Sequence, residues 1–146
     1  NNEIIKVRSP KSIRPWQHVL EPLGGYLLLG IKMMLNPNNY NEAWNFGPEP
    51  ENIINVGKLV NEIIGFYKRG EWKDLSDTNT LHEANLLALD INKAKYHLNW
   101  KPVLDFRDTI KFTIDWYKNY TKQDVFTLCT NQIDEYIHLW KSKSVN

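Results

Sequence analysis

Apolar and polar positions alternate along the chain in a way that predicts short extended pieces set between amphipathic helices. Ile4-Ile5-Lys6-Val7 reads as a short strand and Arg8 to Ser12 as a polar loop. A second extended piece, Ile13 to Val19, contains Pro15, which cannot donate to a ladder and argues against a central strand. Pro22 then stands where proline is welcome, in the first turn of a helix, predicted over Pro22 to Leu35. Its Tyr26-Leu27-Leu28-Leu29 run is apolar nearly all round, which predicts burial on several sides. Asn36-Pro37-Asn38-Asn39 stops it.

Ala43 to Phe46 reads as a strand ended by Gly47-Pro48. Asn55 is an N-cap for a helix with Val56, Leu59, Val60, Ile63, Ile64 and Tyr67 on one face, and Gly70 is its expected stop. Further strands are expected at Glu71 to Asp74 and at Asn85 to Leu89. Asp90 should cap a short helix ending at Leu98. Asp105 opens a long helix with a Phe106, Ile110, Ile114 and Tyr117 stripe. The last helix, about Asp124 to Trp140, carries Val125, Cys129, Ile133, Tyr136 and Ile137. This is an α/β pattern, yet it has too few strands for a complete doubly wound sheet. The strands either extend a sheet formed by other sequence or make a small one of their own.

Composition narrows the classes. The 146 residues suffice for one domain, and 18 basic against 17 acidic side chains leave +1, no footprint for nucleic acid or an anionic membrane. One cysteine, Cys129, cannot form an internal disulfide, which fits a cytoplasmic protein. Its apolar helical setting predicts a buried thiol. No run reaches the roughly 20 apolar residues of a membrane span.

Several chemistries have no sequence support. None of the seven glycines makes a GxGxxG or GxxGxxG loop, so no dinucleotide-binding turn is present. No tyrosine has a lysine four residues on. His82-Glu83 lacks the second histidine of a zinc-protease motif, since Leu86 stands in its place, and the four histidines show no ligand spacing. No metal site and no catalytic residue are assigned.

The densest cluster of useful side chains is Arg14-Pro15-Trp16-Gln17-His18-Val19-Leu20-Glu21-Pro22. Arg14 offers a planar fork that can hold two phosphate oxygens, Trp16 a flat face, and Gln17 and His18 hydrogen-bonding groups. In an extended chain Arg14, Trp16 and His18 share one side. An arginine just before a helix suits an anion held between the guanidinium and the helix N-terminus. Equally, Arg14 can pair with a carboxylate and Trp16 can belong to the core.

Ile13 to Leu23, with Gly25-Tyr26-Leu27-Leu28-Leu29 behind it, resembles the signature of CDP-glucose 4,6-dehydratases. Other matches stand in order: Ala43 to Pro48, His82-Glu83-Ala84 with Leu87, Leu89-Asp90 and Lys93-Ala94, then Trp116-Tyr117 and Gln132-Ile133. Leu98-Asn99-Trp100-Lys101-Pro102 resembles that family's Leu-Gly-Trp-x-Pro turn with Asn99 for glycine, a mild departure because asparagine also adopts left-handed backbone.

The resemblance implies an extended short-chain dehydrogenase of nucleotide sugars, of which residues 1–146 would be the helix-rich C-terminal substrate-binding domain. The N-terminal Rossmann domain, which in that family holds NAD and a catalytic tyrosine–lysine pair, would be absent. The chain alone is then expected to be inactive, with no cofactor of its own, and to expose apolar surface where the Rossmann half would pack. The implied partners are a nucleotide sugar (CDP-glucose first), that missing domain, and further copies in a parent homo-oligomer. The resemblance gives Arg14 the ligand's diphosphate, with Trp16, Gln17 and His18 as weaker substrate-site residues that can instead shape the loop. Glu83 lies near a substrate-binding segment of sister enzymes, whose second phosphate-binding arginine is replaced here by Thr80. Lys93 reads as a solvated helix residue and Asp90 as an N-cap. An epimerase or decarboxylase of the same superfamily, and a stand-alone binding module, are the alternatives.

Overall fold

The computed structural model describes residues 4–76 and 86–144. Four short strands and five helices follow in order: β1 (Ile5–Val7), β2 (Ile13–Arg14), α1 (Leu20–Leu35), α2 (Pro37–Tyr40), β3 (Ile54–Asn55), α3 (Val56–Tyr67), β4 (Trp72–Asp74), α4 (Phe106–Asn119) and α5 (Val125–Ser144). A single 3₁₀ turn, Pro50–Asn52, and a wide π-type turn, Ala94–Leu98, complete the described elements.

The strands pair with one another. β1 lies parallel to β4, Ile5 opposite Trp72, while β2 runs antiparallel to β3, Ile13 opposite Asn55. Pro15 ends β2 after two residues, and the Trp16 amide turns back to donate to the Arg14 carbonyl. The strict alternation expected from Ile13 to Val19 is therefore interrupted at Pro15. The Asn85 to Leu89 strand reduces to one parallel bridge, Ile13 to Leu86, and Asn85 lies outside the described residues. Ala43 to Phe46 forms no strand. Side chains take up its polar groups instead: Lys93 donates to the Ala43 carbonyl and Gln17 to the Phe46 carbonyl.

Helix starts follow their caps. The Asn55 side chain accepts from the Lys58 amide at 2.8 Å, and the Asp105 carboxylate from the Asp108 amide at 2.8 Å. Asp124 does the same for Thr127, and Asp90 accepts from the Asn92 amide. Stops are less orderly. α3 ends at Lys68, whose backbone is left-handed (φ 56°), two residues before the expected Gly70. Asn99 is left-handed as its place in the Leu-Asn-Trp turn required (φ 55°).

Three apolar clusters hold these elements. Phe46, Ile91, Ala94, Leu98 and Trp100 form one, joined by Leu28 and Leu29 of α1. The Phe46 ring lies so close to Gly25 that an added Cβ would stand 2.3 Å from it, so this contact requires glycine. Phe106, Ile110 and Ile114 of α4 form the second, against α3 and Trp16. Val103, Leu104, Phe112 and Tyr136 form the third, with Leu20 and Leu139.

Two faces depart from expectation. α1 buries only Glu21 and Gly25. Leu23, Tyr26, Leu27, Ile31 and Met34 recur at three- and four-residue spacing and stay exposed, Leu27 at 72% and Met34 at 87%. The run is apolar enough for burial, but the described residues supply packing partners for one side only. On α5 the buried positions are Leu128, Gln132 and Tyr136, whereas Val125, Ile133 and Ile137 are exposed. Tyr117 at the end of the α4 stripe is likewise exposed. The apolar arc of α5 is wider than the surface α4 offers, so its buried stripe is rotated from the expected one.

At the centre of the third cluster sits a carboxylate. Glu21, 1% exposed, accepts at Oε1 from the Val103 amide at 2.8 Å and the Leu104 amide at 2.5 Å, and at Oε2 from the Tyr136 hydroxyl at 2.9 Å. Burial pushes its pKa up from 4.5, opposed by these three hydrogen bonds and by Lys143. Burial and the Glu21 charge in turn push the Tyr136 phenol well above its ordinary range.

Removing the carboxylate strands two amides and a phenol. Glu21→Ala should cost about 3–5 kcal/mol in urea denaturation, the usual loss when one partner of a buried charged network is removed. Glu21→Gln, whose carbonyl can still accept from both amides, should cost about 1 kcal/mol. A carboxyl with a raised folded pKa binds its proton more tightly folded than unfolded. Its contribution is therefore fullest below about pH 4.5 and is lost as pH rises through the folded value. The wild-type stability profile minus that of Glu21→Gln should fall across that interval. At the left-handed turn, Asn99→Gly should be near neutral and Asn99→Ala should cost about 1 kcal/mol by the same measurement.

Candidate functional site

The segment Arg14 to Glu21 leaves β2, bends at Pro15 and enters α1, so its side chains are distributed rather than presented together. Arg14 is half-buried and its guanidinium Nη1 donates to the Ile13 carbonyl at 2.8 Å. Trp16 turns inward: its indole donates to the Ile54 carbonyl at 3.0 Å and its ring packs against Phe106, Ile110 and Ile114. Trp16 thus ties β3 to α4. Gln17 donates to the Phe46 carbonyl at 3.0 Å, which leaves its Oε1 buried without a hydrogen-bond partner.

His18 is 8% exposed and meets the Phe112 ring edge-on at 5.5 Å. Its Nδ1 accepts from the Leu20 amide at 3.4 Å. The helix start has no side-chain cap at Val19, so this imidazole serves one of the first free amides. Burial lowers the pKa of His18, which favours the neutral ring. With Nδ1 an acceptor, the proton belongs on Nε2. Glu83 lies outside the described residues, as do Thr80 and His82.

Gln17, His18, Val19 and Leu20 line a cleft of about 400 Å³ together with Thr113, Trp116, Tyr117, Cys129, Gln132 and Ile133. Cys129 is half-exposed there, which corrects the expectation of a buried thiol. The expectation followed the apolar periodicity of α5, but Cys129 falls beside the buried stripe. The Trp116 ring of this lining stacks on the Tyr120 ring at 4.8 Å and 3°. Arg14 and Trp16 do not line it.

A second cleft of about 430 Å³ is polar, lined by Asn38, Asn39, Tyr40, Glu42, Trp44, Lys93 and His97. Lys93 is not a merely solvated helix residue: it pairs with Glu42 and sits 4.5 Å from the centre of the Trp44 ring. Among the described residues no group of His, Cys, Asp or Glu could hold a metal ion, and no helix is long and apolar enough to cross a membrane.

Sequence reasoning missed Glu21 as the residue organising this region. Its signal was a carboxylate in the first turn of an otherwise apolar helix, which an ordinary dipole partner also explains. Only the packing of residues 103 and 104 above it separates the two readings.

The chain is 33% identical over 138 residues to the CDP-glucose 4,6-dehydratase of Salmonella typhimurium, a match covering 94% of this chain and 38% of that protein. It is 36% identical over 80 residues to a putative UDP-glucose 4-epimerase of Methanocaldococcus jannaschii, covering 54% of this chain and 25% of that protein. No protein-family model matches. The chain therefore spans well under half the length of either relative. The resemblance carried by the Arg14 to Leu23 motif thus extends over nearly the entire chain, which is similar to a part of a CDP-glucose 4,6-dehydratase.

Proposed function

We propose that this chain is the C-terminal, nucleotide-sugar-binding part of a 4,6-dehydratase that converts CDP-glucose to CDP-4-keto-6-deoxyglucose. The observation that carries the reading is the 138-residue match to a CDP-glucose 4,6-dehydratase, which includes the arginine-led motif entering α1. In this reading Arg14 grips the ligand's diphosphate through its planar fork, and Glu83 lies in a second substrate-binding segment. Trp16, Gln17 and His18 hold the Arg14 loop in place through their bonds to Ile54, Phe46 and Leu20. The chain's task is orientation: binding energy on the nucleotide and diphosphate places the sugar for chemistry performed elsewhere.

NAD is the cofactor of this reaction class, and the sequence carries none of the glycine spacings of a dinucleotide-binding loop. The seven glycines lie within α1 (Gly24, Gly25, Gly30), within α3 (Gly57, Gly65) or in loops (Gly47, Gly70); Gly57 alone stands at a strand-to-helix junction, β3 to α3, and it has no second glycine at the spacing of a dinucleotide loop. We assign NAD, base and acid to a Rossmann domain in the intact enzyme. The exposed Leu23, Tyr26, Leu27, Ile31 and Met34 face of α1 supports that arrangement, since an apolar stripe of this length is the surface such a domain would cover. A nucleotide-sugar epimerase is the second reading, favoured by the shorter match to a putative UDP-glucose 4-epimerase.

Calorimetric titration with CDP-glucose, UDP-glucose and NAD tests this. The proposal expects CDP-glucose to bind in preference to UDP-glucose, NAD not to bind, and Arg14→Ala to weaken CDP-glucose about ten- to hundredfold, the worth of a hydrogen bond to a charged group. Preference for UDP-glucose would favour the epimerase reading. NAD binding, or an Arg14→Ala variant that binds unchanged, would contradict the assignment.

A further inference from the structure

We draw no further inference here: the strongest candidate, the exposed apolar face that Phe126, Ile133 and Ile137 of α5 form beside the cleft between α4 and α5, carries nothing because nothing in the structure shows what covers it.

Discussion

The buried carboxylate of Glu21 is the constraint on which the rest of the arrangement depends. It joins three pieces of chain that are far apart in sequence: the first turn of α1, the Val103-Leu104 segment and α5 through Tyr136. A charge taken out of water is tolerable only when donors surround it, and here two amides and a phenol do so. Once those bonds are made, the start of α1 is fixed. The residues just before it are then fixed as well, because His18 caps the helix, Gln17 bonds to the Phe46 loop and Trp16 bonds to β3.

This places the Arg14 segment on a rigid support without making that segment rigid by its own regular structure. β2 is only two residues long, and Pro15 forbids it to continue. The order comes instead from side chains reaching to carbonyls of β3 and of the Phe46 loop. Such a support suits a binding task, in which a guanidinium must be held at a set distance from a ligand.

The sequence disclosed what local chemistry controls. Asn55 and Asp105 cap their helices because a short polar side chain before an apolar stripe has an immediate amide to accept from. Asn99 takes the left-handed turn for which only glycine and asparagine are well suited. Tertiary supply and demand was not legible. The apolar run of α1 looked buried, but how many partners it has is not written in the run itself. Ala43 to Phe46 had strand composition yet lacked a strand to pair with. Glu21 resembled a dipole partner until the amides of residues 103 and 104 were seen bonded to it. For the candidate site, the Arg14 to His18 cluster was found by residue type and by resemblance, whereas the inward turn of Trp16 and the helix-capping use of His18 depended on packing.

The claim that one shared charge network fastens α1 to α5 is tested most directly by a double-mutant cycle on Glu21→Gln and Tyr136→Phe, read by urea denaturation. The account predicts a coupling energy of roughly 1–3 kcal/mol, as found for residues sharing a buried network. Additive effects, with a coupling near zero, would show that the carboxylate and the phenol stabilise the fold independently and would contradict it.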